Sequence, residues 1–568
     1  MRWVIESPVG ISYYESMLRA VAVGQRILLA MALGIISSDL PGNAAPTFGP
    51  VLTNGAVNIA GLTEVSGVAA SRNNANVLWA HNDSGHPAVV CAIDTFGRLL
   101  GKYNLPGNTD NEDIAVGPGP VTNVSYLYVG DIGDNTASRL NIRIYQIPEP
   151  VVYGRQFTNP PTVTPKGART ITLTYPDGAR DAEALMVDSV TGDLFIFTKE
   201  SPTRIYAASK SLLDTNDSFG LTFLKTLNFA VPNAADISPS GNEIVLRQEN
   251  FARLWLRAFG QDVGTALSGT PIVIPVTATA NGEVNGEAIG YDSVGRGYFT
   301  LSDSSVTQPL RYFPRTSSDG PPTQPALVEA GATWQYLDKG TDQGTAWRAP
   351  LFDSSAWSNG VAQFGYGDGD EQTVVNFGGN ASDKYITTYF RKNFSVENAA
   401  SITNLTLKLL VDDGAAVFLN GAPVVHFGLA TNATYRTLAT AQSGSLEDTW
   451  LSFPVDPSKL TNGVNTIAVE VHQASVSSSD LSFDLQLIAT LDAAAVIPPK
   501  LSVTRVGTDE KLSWPAAAAG YVLEETDRLG AGSVWNSTAI PIQILSDEFF
   551  VTNSVSAGAT FYRLRNVR

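Results

Sequence analysis

The sequence predicts an all-β, multidomain protein, and three observations lead there. Its apolar runs are short, rich in Val, Ile, Leu, Tyr and Phe, and separated by clusters of Gly, Asn, Asp and Pro, which is how strands and turns read. Helix-period stretches are nearly absent beyond the N-terminal segment. A chain of 568 residues also exceeds what one hydrophobic core usually serves.

The first 45 residues read as an extension and signal peptide. Basic Arg19 and Arg26 precede the apolar run Ile27 to Ile36, and Gly42, Asn43, Ala44 and Ala45 follow before Pro46, with Met17 the more natural start. That run is too short to span a bilayer, so the expectation is a bacterial-type protein that is secreted or held at the cell surface, with no transmembrane segment in its mature form. Cys91 is the only cysteine, which excludes intrachain disulfides and cysteine-based metal clusters. A net charge of -17, with no basic stripe to offset it, excludes nucleic acid as a partner.

Residues 46–315 contain a repeat. Five windows align without gaps, Val77–Asp83, Ser125–Asp131, Leu194–Glu200, Glu243–Glu249 and Gly297–Asp303, and each ends on an acid. Upstream of each lies a second run, beginning at Ser66, Glu112, Glu183, Ala235 and Glu287. Third and outer runs follow, among them Ile142–Ile147 and Thr170–Thr174. Four strands per repeat predict a β-propeller of five blades, with six as the alternative count. The last repeat lacks an outer strand, and the stretch Val57 to Leu62 stands unpaired before the first, so an N-terminal strand is expected to complete the final blade.

In such a fold the first strands line the axis. Glu112, Glu183 and Glu287, together with Asp83, Asp131, Glu200, Glu249 and Asp303, are therefore candidates for an acidic ring at one mouth. Carboxylates gathered this way raise one another's pKa or recruit a cation, and Ca²⁺ takes six to eight such oxygens. Asp131, Glu183 and Glu287 are the metal-ligand candidates, and capping of turns within each blade is the competing role for any single acid. His81 and Arg247 share strand parity with Asp83 and Glu249 and are the polar partners expected at the mouth.

The phrases Gly130-Asp-Ile-Gly-Asp-Asn135, Asp181-Ala-Glu-Ala-Leu185 and Gly286-Glu-Ala-Ile-Gly290 resemble secreted propellers of the esterase-like, phytase-like group. The resemblance covers about half the chain. It implies calcium-dependent phosphoester hydrolysis, with Glu112, Asp131, Glu183, Glu200, Glu287 and Asp303 as the matching acids. Basic residues that would hold phosphate are few: Lys199 has the wrong parity relative to Glu200, which leaves Arg247. That count favours binding over catalysis, as does the lack of Gly-x-Ser-x-Gly, His-Glu-x-x-His or P-loop spacing.

A linker at 316–330 leads to a segment, 331–492, that opens on Trp334, Tyr336, Trp347, Phe352, Trp357 and Tyr366. Its phrases Phe352-Asp-Ser-Ser-Ala-Trp357, Phe364-Gly-Tyr-Gly367, Asp412-Asp-Gly414 and Val469-Glu-Val-His-Gln473 resemble galactose-binding-like jelly rolls. Asn420-Gly421 between apolar runs predicts a tight hairpin. Trp347, Arg348, Trp357, Arg391 and His472 are the candidates for gripping a sugar by stacking and hydrogen bonding, against the alternative that the tryptophans and His472 are interior. Asp412, Asp413 and Asp480 are candidates for a structural Ca²⁺.

A second linker, 493–500, introduces residues 501–568, where Trp514 and Phe561-Tyr-Arg-Leu564 resemble a small fibronectin type III-like sandwich. The sequence thus predicts a secreted recognition protein for a glycan or cell-surface ligand, with calcium as a structural ion. The alternative is a calcium-dependent hydrolase of phosphoesters or glycosides, acting at the propeller mouth.

Overall fold

The computed structural model describes residues 45–152, 160–304, 307–317, 324–440, 444 and 446–491, and most of 501–566. The expected signal peptide, the centre of the first linker and the second linker lie outside these residues. Among the described residues no helix is long and apolar enough to cross a membrane.

The protein is all-β and built from several sheets. Five of them follow one another along residues 52–314. Sheet one opens on Val65–Ala70, sheet two on Asn111–Pro118, sheet three on Ala182–Val187, sheet four on Ala234–Ile237 and sheet five on Gly286–Tyr291. Each is antiparallel apart from one parallel edge strand in sheet one and one in sheet two, and in each the second strand carries one of the aligned windows. The five opening strands lie side by side in cyclic order, with sheet five returning to sheet one.

Short buried runs such as Leu194–Thr198 and Val77–Asn82 show why the sequence lacks simple alternation here: both of their faces are covered by neighbouring sheets. Two buried carboxylates tie the opening strands together. Asp113, on sheet two, accepts from the backbone N–H groups of Leu185 on sheet three (2.9 Å) and Ala235 on sheet four (3.1 Å), as well as from Ile114 (2.9 Å). Asp236, on sheet four, accepts from Tyr291 on sheet five at 2.7 Å.

Sheet five is completed by an N-terminal strand, Leu52–Val57, antiparallel to Gln308–Pro314. It lies earlier than the stretch Val57 to Leu62 singled out in the sequence. Ile59 and Leu62 are buried, yet they close a turn on each other through Gly61, whose φ of 85° suits glycine.

Residues 326–491 form two six-stranded sheets packed face to face. One contains Phe364–Tyr366, Leu481–Leu491, Ile402–Asp412 and Leu451–Val455; the other contains Thr333–Leu337, Thr387–Val396, Gly463–His472 and Gly414–Leu419. Their inner faces interlock through Phe390 on Phe483 (4.1 Å between centroids) and Trp334 on Phe483 (5.2 Å). Asn420 and Gly421 both have positive φ, 51° and 84°, as the tight hairpin requires. Ala326–Val328, assigned to a linker from sequence, is a strand on Leu481–Leu491.

The sandwich and the five-sheet region belong to one compact unit and share a hydrophobic cluster. Val124 bridges to Leu451 and Pro150 to Thr449, and the buried Lys408 ammonium of the sandwich donates to the Arg72 carbonyl. In the C-terminal segment a four-stranded and a three-stranded sheet enclose Leu512, Trp514, Leu523 and Val551.

Candidate functional site

The site begins with an irregularity repeated in four sheets. The ladder between the first two strands slips at Ser66, Glu112, Glu183 and Glu287, so each of these residues sits on a β-bulge at the start of its sheet. A bulge takes a residue out of the pleat and re-aims its side chain. Here it turns three glutamates toward one end of the cyclic array.

Glu112 is buried, and one oxygen each from Asp83, Asp110 and Glu112 lie within 4.8 Å of one another. Ser66 Oγ donates to the Glu112 carbonyl at 2.6 Å and reaches its carboxylate at 3.3 Å. Gly133 explains the spacing of the Gly130-to-Asn135 phrase, because a Cβ there would collide with the carboxyl groups of both Glu112 and Asp110. Lys199 pairs with Glu183 at the rim of this group.

Burial and crowding set the charge state. Desolvation, then Asp83, Asp110 and Glu287, hold the Glu112 carboxyl well above its usual range, while Lys199 opposes them. Glu287 is pushed up to about 8 by burial, then by Asp303 and Asp83, against Lys199 and Arg247. Asp303 rises to about 6 through burial and the nearby Glu64 and Asp83, with His86 opposing. Burial and Asp83 also raise Asp110. Asp83, Asp110 and Glu112 offer hard oxygens at separations one cation would bridge, so these three fit Ca²⁺.

A pH dependence follows. Glu287 carries its proton to about 8 when folded, against an ordinary value of 4.5, so its contribution to stability is complete below about 4.5 and is lost as pH rises through 8. In chelator, the melting temperature is expected to fall by several degrees between pH 5 and 8.5. Thermal melts of the parent and of Glu287→Gln, which should flatten the profile, check this.

Not every acid of the aligned windows joins the group. Asp131 is fully buried but bound by Arg139 (2.7 Å), Arg143 (3.6 Å) and the Tyr145 hydroxyl (2.8 Å). Burial opposes ionisation there, yet Tyr145 and Arg139 hold its carboxyl below the usual range, so it is a structural anion and not an open metal ligand. Glu200 pairs with Arg180 and Arg204, and Glu249 accepts from Thr279 Oγ1.

The expected polar partners also fall elsewhere. Arg247 is fully buried against the buried Glu283 at 2.9 Å and donates to the Ala288 carbonyl, so its charge and a donor are already used. His81 is fully buried beside Gly67, with Nδ1 2.9 Å from the Asn82 carbonyl and its pKa lowered by burial, which makes it a neutral core residue. Asp110 and Lys199 were missed. Asp110 stands in the acidic run Asp110–Asp113, just before the strand; Lys199 was set aside on parity, but its strand ends at Thr198 and parity lapses with it.

Four of the five sandwich candidates are buried, and Arg348 is half-buried. Trp347 (0% exposed) and Trp357 (7%) pack with Tyr389 and Phe418, so neither offers a face for stacking on sugar. Arg391 is buried and donates to the Trp347 carbonyl, while Arg348 lies over the Phe418 ring at 4.0 Å and pairs with Glu470. His472 is fully buried, with Nδ1 2.7 Å from the Thr437 carbonyl. The two tryptophans support the fold because a sandwich this aromatic needs its large rings inside, and the arginines and His472 are held by carbonyls, Glu470 and neighbouring rings. Asp412 and Asp413 are buried at one rim of the sandwich, with Asp480 close by, and burial, then Asp413 and Asp480, push Asp412 up to about 8.

No protein-family model and no curated protein matches the chain. Solved structures similar to part of it include a calcium-binding mutant of Bacteroides uniformis β-glucuronidase 2, at 15% identity over 43% of this chain and 27% of that one, with a TM-score of 0.20. A glycosyl hydrolase family 2 member from Bacteroides cellulosilyticus is 14% identical over 43% of this chain and 31% of its own, with a TM-score of 0.21. Ruminococcus gnavus β-glucuronidase, in complex with D-glucuronic acid, is 11% identical over 43% and 42%, with a TM-score of 0.20. This chain thus spans less than half the length of each.

Proposed function

We propose that this is an exported recognition protein whose residues 46–315 form a five-bladed β-propeller that holds Ca²⁺ at one mouth and, through it, a glycan or cell-surface ligand. The convergence of Asp83, Asp110 and Glu112 within 4.8 Å carries this reading. Carboxylates this close lose stability unless a cation joins them, and a bound Ca²⁺ with free coordination positions accepts hydroxyl or carboxylate oxygens from outside. The galactose-binding-like jelly roll, with its tryptophans packed inside, and the fibronectin type III-like segment serve as supporting modules. Of the two places where the sequence offers ligand-binding candidates, the ring and the sandwich, this reading keeps the ring.

A second reading is a calcium-dependent hydrolase of phosphoesters or glycosides. Two observations favour it: Lys199 stands beside Glu183, and Glu287 keeps its proton near neutral pH, which suits a general acid.

Calorimetric Ca²⁺ titration of the full chain tests the first reading. Glu112→Gln and Glu287→Gln are each expected to weaken binding at least about tenfold, the effect of losing a charged oxygen donor, since tenfold is ~1.4 kcal/mol. Parent-like titration of both variants would remove the mouth as a site. A panel of glycans, glycosides and phosphoesters separates the readings: turnover abolished in both variants establishes the hydrolase, whereas glycan binding without turnover establishes recognition.

A further inference from the structure

A second group of charges lies outside the acidic cluster, under the loop 279–285 that leads into sheet five. Every residue of this loop is exposed except Glu283, which is 0% exposed. Its carboxylate is inserted between two buried guanidinium groups from different sheets. Arg247, on Glu243–Gln248, reaches one oxygen at 2.9 Å, and Arg311, on Gln308–Pro314, approaches the other at 3.8 Å.

The two arginines offer more than Glu283 takes. Arg247 Nε and Arg311 Nη1 are buried and have no hydrogen-bond acceptor, although buried polar groups are nearly always satisfied. Arg247 is also held independently of Glu283: its Nη1 donates to the Ala288 carbonyl at 2.7 Å, and Gly286 leaves space for the guanidinium where a Cβ would collide with it. Arg311 Nη2 donates to the Gly282 carbonyl at 2.7 Å, so the loop meets the arginine pair through one backbone oxygen and one side chain.

A planar carboxylate facing guanidinium forks is the arrangement by which arginines bind carboxylate ligands. Here the carboxylate belongs to the chain itself and is carried by an otherwise exposed loop. The place adjoins the mouth of the ring, because Glu287 follows four residues later and lies within electrostatic reach of Arg247.

We propose that Arg247 and Arg311 form a carboxylate-binding subsite beside the mouth, that Glu283 fills it as a tethered ligand, and that the loop 279–285 lifts to exchange Glu283 for the carboxylate of an acidic sugar. The sugar rests on the recognition reading given above; the exchange of one carboxylate for another does not depend on Ca²⁺. A neutral glycan offers the arginines nothing and leaves the loop closed. Tethering gives Glu283 a high effective concentration, so a small free carboxylate displaces it poorly, whereas a sugar also anchored at the mouth displaces it well. The loop thus sets a threshold that only a ligand with both features passes.

The test uses the full chain. Glu283→Ala empties the subsite, and acetate, at ionic strength held constant with chloride, is expected to raise the melting temperature of this variant by several degrees while leaving the parent unchanged. Adding Arg311→Met to Glu283→Ala should abolish the rise. In calorimetric titration, D-glucuronate is expected to bind Glu283→Ala at least about tenfold more tightly than it binds the parent, with D-glucose indifferent to the change. Glu283→Gln keeps the shape of the side chain without its charge and decides the matter should Glu283→Ala fail to fold: it too should bind D-glucuronate more tightly than the parent. Stability of Glu283→Ala indifferent to acetate, or parent-like affinity for D-glucuronate in Glu283→Gln, would overturn the proposal. Failure of the mouth as a cation site shows differently, as a parent chain that does not take up Ca²⁺, and leaves the acetate result standing.

Discussion

Trp347→Ala is expected to unfold the sandwich and not merely to weaken a ligand. Trp347 is fully buried, with Tyr389, Phe418 and Trp357 around it at centroid distances of 4.9, 5.9 and 6.3 Å, and its indole N–H donates to the Gly344 carbonyl at 3.1 Å. Truncating a tryptophan in such a place costs about 3–5 kcal/mol through lost burial and the cavity left behind. Urea unfolding followed by near-ultraviolet circular dichroism measures the loss. A variant that keeps the parent midpoint and loses glycan binding would assign Trp347 to ligand stacking and overturn its place in the core.

Asp113→Ala should destabilise the five-sheet region by about 3–9 kcal/mol, since three backbone N–H groups lose their acceptor and each unmet buried donor costs about 1–3 kcal/mol. Asp113→Asn keeps an acceptor oxygen and should cost far less. Burial holds the Asp113 carboxyl well above its normal range, so a neutral amide is close to its state in the fold. Equal losses in the two variants would mean that volume, and not hydrogen bonding between strands, is what Asp113 supplies; denaturant midpoints distinguish the cases.

The five-sheet region was legible because short apolar runs and terminal acids recur in the same order, and a repeat is a property of sequence alone. The fates of those acids were not. Asp83 and Asp303 reach the cluster, Asp131 is taken by Arg139, and Glu200 and Glu249 are held by Arg204 and Thr279. Each occupies the same place in its window, but the loop that follows brings a different partner. The bulged column was more telling, because a bulge fixes direction through the backbone itself, and Glu112, Glu183 and Glu287 were picked out from it.

In the sandwich the hairpin at Asn420-Gly421 could be read because positive φ restricts residue choice. Trp347 and Trp357 could not be assigned in the same way: a buried and an exposed tryptophan satisfy the same local pattern, and only the opposite sheet decides.

The strand Leu52–Val57 has a kinetic consequence. Sheets one to four are assembled mainly from consecutive segments, so most of their pairings close short loops at small entropic cost. The seam between Leu52–Val57 and Gln308–Pro314 joins opposite ends of the region and can form only after everything between them has been made. Until then Gln308–Pro314 is an open edge, able to pair with a stray strand of another molecule. The last hydrogen bonds of the seam thus act as a latch: they end the interval in which the nascent chain is sticky.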